Sequence, residues 1–213
     1  MIQGTGQLAD AYGRMFIQWS IAGTPMNDEA ESGDACLVQA CAAGVLVAAI
    51  DGAGPGAEAA SAARIAEATL RAHADESPIS LVLRCHEGLR KTRGAVMTLA
   101  FCHHRDRTIT WLGVGNVDAV LFHAGPTGAT SDRVVLRGGV VGYQLPALRA
   151  EVLPIRTLDV LIMATDGIEE HFADTVDIRR EPRSLADGIL ATHRKGTDDA
   201  LVVVAKYHGA DES

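Results

Sequence analysis

Short apolar runs broken by glycine-rich or charged turns dominate the chain. Residues 37–50 are apolar almost throughout and pass through Val45-Leu46-Val47 into the segment Asp51-Gly52-Ala53-Gly54-Pro55-Gly56. Residues 96–101 and 109–114 flank the polar stretch His103-His104-Arg105-Asp106-Arg107, the pattern of a β-hairpin. Residues 117–122 continue that pattern, and 134–136, 150–155, 160–164 and 201–205 add further strands. Helical spacing is rarer. Residues 57–73 are alanine-rich and place Ala60, Ile65, Ala68 and Leu70 on or near one face. Ser77-Pro78 supplies an N-cap and a first-turn proline to a second helix, with Leu81, Val82 and Leu89 as its apolar positions. A third helix is expected over 184–193, capped by Ser184 with Asp187 in its first turn. The regular strand-helix alternation of a wound parallel sheet is missing. The expected class is α+β: two stacked, mainly antiparallel sheets covered by helices. No repeat or low-complexity linker divides the 213 residues, so one domain over 1–213 is expected.

Composition adds three constraints. Hydrophobic residues reach 47%, enough for a sizeable core, but aromatics only 4%, so Ala, Val, Leu and Ile must fill it. A net charge of −8 with no basic stripe argues against a nucleic-acid partner, which demands clustered Lys and Arg. The apolar stretch 15–21 is short and interrupted by Gln18 and Ser20, and no run approaches the ~20 residues of a membrane helix. Cys36, Cys41, Cys85 and Cys102 form no CxxC pair and read as buried thiols of a cytoplasmic protein, without a zinc or disulfide role.

The candidate chemistry lies in aspartates placed where apolar strands meet glycines or turns. Asp34 follows Gly33, Asp51 opens the glycine-rich segment, Asp166 precedes Gly167, and Asp198-Asp199 precede the strand 201–205. Each one singly is an ordinary strand-end turn. Brought together, several carboxylates would repel one another unless neutralised, and hard divalent cations with oxygen ligands are the natural counter-charge. Spacing leaves open whether the strand ends converge. The glycines would let backbone approach an ion or phosphate closely, although neither a dinucleotide fingerprint nor a P-loop is present. Other residues read more plainly. His103 and His104 belong to a solvated turn, and Cys102 completes no tetrahedral set with them. Ser61 lacks a nucleophile-elbow context. His171, after Glu169 and Glu170, reads as helix surface. Arg179, Arg180 and Arg183 read as a charged loop, with docking of an acidic partner as the alternative.

In this order and setting the motifs resemble those of the metal-dependent protein phosphatases (PPM, type 2C). The likeness is carried by Gly33-Asp34, Asp51-Gly52-x-Gly-x-Gly, Ala164-Thr165-Asp166-Gly167 and Thr197-Asp198-Asp199. Residues 94–99, 112–117 and Gly142 with Leu145-Pro146 fit the segments between them, so the resemblance runs from about 12 to 207. The stretch 112–122 and the compact length are similar to the small bacterial SpoIIE-like branch, and within it to the RsbX type of stressosome phosphatase. The resemblance implies an αββα sandwich with Mn²⁺ or Mg²⁺, two ions in all, at one end of the paired sheets. It implies Asp51 as the bridging ligand, the Gly52 carbonyl as part of the second site, and Asp34, Asp166 and Asp198 as further direct or water-mediated ligands. Asp199 ranks below Asp198. An activated water would attack phosphorus in line, without a phosphoenzyme. The implied substrate is a phosphorylated regulatory protein of bacterial stress signalling, STAS-domain proteins included. Two departures stand out: Pro55 replaces a histidine found in many relatives, and only Arg14 offers itself as a phosphate-binding arginine. Two rivals are therefore kept, a regulatory binding module without turnover and a hydrolase of small phosphoesters.

Overall fold

A computed structural model describes residues 1–9, 15–26, 31–125 and 130–209; Arg14 lies outside them. Twelve strands and three α-helices follow in the order β1 (Ile2–Ala9), β2 (Met15–Thr24), β3 (Asp34–Cys41), β4 (Gly44–Gly52), α1 (Ala57–Ala72), α2 (Pro78–Leu89), β5 (Ala95–His103), β6 (Thr108–Val114), β7 (Asp118–His123), β8 (Thr130–Arg133), β9 (Leu136–Arg137), β10 (Glu151–Pro154), β11 (Val160–Ala164), α3 (Pro182–His193) and β12 (Ala200–Tyr207). A 3-10 helix (Glu170–Thr175) lies between β11 and α3.

The strands form two six-stranded sheets. One runs β1-β2-β12-β11-β7-β8; the other runs β10-β6-β5-β4-β3, with β9 added alongside β6. Among the described residues only the two-residue β6–β9 pairing is parallel. Three apolar layers hold the stack together. Val47, Ala49, Trp111, Leu121, Met163 and Val203 fill the space between the sheets. Leu46, Ile50, Leu81, Leu89 and Met97 seat α1 and α2 on one outer face, and Ile162, Val204, Leu185 and Ile189 seat α3 on the other. The result is the αββα sandwich expected from the sequence. Among the described residues no helix is long and apolar enough to cross a membrane.

Several elements differ from their sequence expectation, for identifiable reasons. The run 37–50 is two strands, β3 and β4, turned between Cys41 and Gly44. β1 and β2 carried no strand signal; β1 alternates half-buried and exposed positions and has glycine at two of them, Gly4 and Gly6. Trp19 of β2 occupies the space there: a Cβ on Gly6 would sit 2.6 Å from its ring. Of the expected strand 134–136 only Leu136 is in a strand, the two-residue β9, and Val134 and Val135 link β8 to it. Ile65 and Ala68 of α1 point outward, and the buried stripe is Ala59, Ala60, Ala62, Ala63, Ala66 and Leu70. Small side chains win that face because the helix backbone comes so close to the sheet that a Cβ on Gly52 would lie 2.1 Å from the Ala59 carbonyl oxygen. α3 starts two residues early, with Pro182 in its first turn, so Ser184 is inside the helix, where its hydroxyl accepts from Arg180. His103 belongs to β5 and its ring contacts the Thr110 hydroxyl at 3.1 Å. α2 begins as expected, the Ser77 hydroxyl accepting from the Ser80 amide at 3.2 Å.

Candidate metal centre

The two sheets bring the aspartates together at one end of the sandwich. Antiparallel pairing of β3 with β4 sets Asp34 directly opposite Asp51, where two like charges destabilise each other. Asp166 follows β11 and Asp198 and Asp199 precede β12, adjacent antiparallel strands of the other sheet. Gly167 makes this approach possible: a Cβ there would lie 1.9 Å from the Asp199 carbonyl oxygen.

Thr165 joins the halves. Its hydroxyl donates to Asp34 Oδ2 at 2.8 Å and accepts from the Leu201 amide at 2.9 Å, so one side chain of the β11 sheet satisfies a carboxylate of the β3 sheet. Asp199 makes a second seam, accepting from the Met26 amide at 2.6 Å and from the Gly33 amide. Asp166 is held from two sides. Asn116 Nδ2 donates to its carboxylate and Lys195 Nζ to its backbone carbonyl, each at 2.7 Å. None of Thr165, Asn116 and Lys195 announces itself chemically in the sequence, although Thr165 and Asn116 stand inside the recognised motifs.

The carboxylates sense one another. Burial pushes the Asp51 carboxyl up to about 7, with Asp166, Asp198 and Asp199 adding to the rise. Asp34 is raised well above the usual carboxylate range, first by burial and then by Asp51. Asp166 is raised by burial and by Asp198, against the pull of Lys195 and Asn116. Such a set is costly as bare anions and is relieved by positive charge placed among them.

Asp51, Asp166, Asp198 and Asp199 line a cleft of about 390 Å³ together with Asn116 and the glycine segment from Ala53 to Gly56. Asp34 does not line it; it is 5% exposed and lies beneath. The donor set is all oxygen and rich in charge, which fits a hard divalent cation and suits neither zinc-type thiolate nor imidazole ligation. Pro55 is also in the cleft wall and carries no proton to give. Arg93 packs against the same segment, close enough that a Cβ on Gly54 would meet its guanidinium at 2.6 Å, and it pairs with Glu58.

Asp198 and Asp199 are engaged differently. Asp199 spends both oxygens on backbone amides, whereas Asp198 accepts one local bond from the Asp199 amide. Asp199→Ala should therefore lower stability by about 1–3 kcal/mol, the cost of stranding buried donors. Asp198→Ala should leave the melting temperature nearly unchanged and remove more activity per folded molecule. Thermal melts paired with phosphate release check this, and the reverse pattern would exchange their roles.

Comparison with known proteins gives the family and the fold. The family model for Stage II sporulation protein E (SpoIIE) matches residues 42–208, about four-fifths of the chain. The chain belongs to the SpoIIE family. This SpoIIE-family chain has close structural counterparts of nearly its own length. A chain solved in connection with the bacterial stressosome, a modular system adapted to control secondary messenger signaling, is 28% identical. It superposes with a TM-score of 0.78 over 89% of this chain and 98% of its own. RsbX, solved in complex with magnesium, superposes at 0.83 with 18% identity over 97% and 100%. The catalytic domain of the serine/threonine phosphatase PstP, solved with two manganese ions, superposes at 0.69 with 16% identity over 91% and 99%. SpoIIE from Bacillus subtilis contributes a PP2C phosphatase domain to the same set. The fold is thus that of the PP2C-type phosphatases. No curated protein sequence matches.

Proposed function

We propose that this SpoIIE-family chain is a metal-dependent phosphoserine/phosphothreonine protein phosphatase acting in the cytoplasm on phosphorylated regulatory proteins of bacterial stress signalling, stressosome proteins with STAS domains among them. The observation that carries the reading is the meeting of Asp51, Asp166 and Asp198 at one cleft, over a buried Asp34, from two different sheets. Asp51, the Gly52 carbonyl, Asp166 and Asp198 would hold two Mn²⁺ or Mg²⁺ ions, the ions found in the PstP and RsbX structures respectively. When bound, such ions supply a water acidic enough to attack at neutral pH and positive charge for phosphoryl oxygens.

The chain's own residues do the rest. Asn116 and Lys195 fix Asp166 on both its carboxylate and its carbonyl, so its orientation does not depend on the ligand. Asp34, held by the Thr165 hydroxyl, packs its carboxyl beneath the cleft without taking up room in it. Pro55 leaves the leaving alkoxide to take its proton from solvent. The cleft opens to solvent with carboxylates and apolar side chains both in its wall, which suits a phosphorylated side chain presented on a protein surface. The stressosome likeness supports the substrate class.

The test is phosphate release from a phosphoserine/phosphothreonine protein with Mn²⁺, with Mg²⁺ and after EDTA. Release that needs an ion and is lost on chelation is expected. A folded protein that releases nothing with either ion would be the binding module that Pro55 favours. Preference for p-nitrophenyl phosphate over the phosphoprotein would point instead to a small-phosphoester hydrolase.

A further inference from the structure

We propose that Glu169, His171 and His193 form a second cation site, of the chemistry that takes Zn²⁺ and similar borderline transition ions, separate from the aspartate centre. The ligand atoms of these three residues all lie within 4.8 Å of one another. His171 Nε2 is 3.0 Å from Glu169 Oε2, and His193 Nδ1 is 3.6 Å from the same oxygen. The two imidazole rings stand edge to face with centroids 5.5 Å apart.

The second, independent observation is the state of His193. It is only 5% exposed, and its Nδ1 is buried with no hydrogen-bond partner among the described residues. Its other nitrogen, Nε2, lies 2.9 Å from the Thr175 hydroxyl, which also reaches the Phe172 carbonyl at 3.1 Å. With the hydroxyl proton on that carbonyl, His193 carries its own proton on Nε2 and turns the Nδ1 lone pair to the cluster, the tautomer that an ion at Nδ1 requires. Nδ1 faces a carboxylate oxygen across a gap too long for a hydrogen bond. An ion between the buried Nδ1 and the half-exposed Glu169 carboxylate would satisfy both, and His171 brings a third ligand atom to the same spot from the solvent side. Thr175 acts as the outer partner that orients a metal-binding imidazole.

Position and donor type add to this. Glu169 and His193 are strapped together by the backbone, the Glu169 amide donating to the His193 carbonyl at 2.9 Å, with a further bridge between Ile168 and Arg194. Two of the three ligands are thereby fixed before any ion arrives. Around a Zn²⁺ ion, nitrogen and oxygen donors stand about 3.3 Å apart, as its ~2.0–2.2 Å bonds require, and rotation of the exposed His171 supplies the closure. Two imidazoles and one carboxylate prefer Zn²⁺ or its transition-metal neighbours, whereas the all-oxygen aspartate centre prefers Mg²⁺ or Mn²⁺. An ion held here ties the segment leaving Asp166 to the end of α3. Lys195, two residues beyond His193, reaches the Asp166 carbonyl, so the second site adjoins the first through one side chain.

The experiment is calorimetric Zn²⁺ titration of the full chain with Mg²⁺ in excess, repeated with Co²⁺ as an absorption probe. Wild type and Asp51→Asn should each bind one Zn²⁺ per chain and give the same Co²⁺ spectrum. His171→Ala and Glu169→Gln should weaken that binding at least about tenfold, the lower end of what loss of even a supporting group costs. His171 is 64% exposed in its side chain, so its variant keeps the fold. Zn²⁺ binding unchanged in His171→Ala, lost in Asp51→Asn, or missing from the wild type would each overturn the proposal.

Discussion

Asp51→Asn should abolish phosphate release while leaving the metal-free protein more stable than wild type at pH 8. Loss of one group that stabilises transition-state charge costs about 10²–10³ in rate, and under the proposed function Asp51 would hold the ions that supply that charge, so the loss should exceed that range. The stability gain follows from its carboxyl, raised from 3.8 to about 7 in the folded chain by burial first and neighbouring aspartates second. An acid raised on folding holds its proton more tightly in the native state. Stability is then fullest below about 4, falls as pH climbs from 4 to 7, and above 7 carries the whole penalty, on the order of 4 kcal/mol. Asp34 and Asp166 shift in the same direction and reinforce the slope. Asparagine cannot ionise, so the variant escapes the decline. Melting temperatures in EDTA at pH 5 and pH 8 should diverge, wild type losing several degrees more than the variant. Mg²⁺ or Mn²⁺ should restore wild type at pH 8 and do little for Asp51→Asn. Turnover in the variant, or parallel melting curves, would sink the assignment of Asp51.

Gly167→Ala should be nearly as damaging, through the backbone. The added methyl carbon would lie 1.9 Å from the Asp199 carbonyl oxygen, 2.8 Å from its carbon and 3.0 Å from Ala200 Cα. All three are main-chain atoms at the start of β12, so no side-chain rotation relieves the clash. Overpacking of this kind costs about 1–3 kcal/mol and occasionally more, which at this chain length is about 2–4 °C of melting temperature per kcal/mol. Asp166 and Asp198 flank the displaced contact, so activity should fall further than stability accounts for. Gly138→Ala, where an added Cβ meets nothing within 4 Å, serves as the control and should leave both unchanged. A Gly167→Ala protein with wild-type melting and turnover would show that β12 can move without disturbing the carboxylates.

The aspartates were legible in the sequence because each stands at the junction of an apolar strand with a glycine or turn, and that junction is local. Their meeting was not legible, since it depends on Asp34 pairing with Asp51 across β3 and β4 and on β11 lying beside β12. The supports were hidden for the same reason: a threonine hydroxyl 131 residues from the carboxylate it binds leaves no periodic trace. β1 escaped notice because it is an edge strand, half wet and glycine-bearing. The face of α1 was misjudged because size outweighed hydrophobicity, alanines being what fits against a backbone as close as Gly52. His193 gave no chemical signal in the sequence, because Thr175 and Glu169 are brought to it only by the fold.

Thr165 has a mechanical consequence. Asp34, Asp51 and Gly52 travel with one sheet, Asp166 and Asp198 with the other, and the Thr165 hydroxyl is a stitch across the gap. Any sliding of one sheet over the other changes the distances between ligands on opposite sides. Mg²⁺ tolerates little departure from octahedral bonds of about 2.0–2.1 Å, so ion affinity becomes a gauge of shear within the sandwich. A protein gripping an outer strand such as β8 or β10 could loosen or tighten the ions from a distance, leaving the cleft itself untouched.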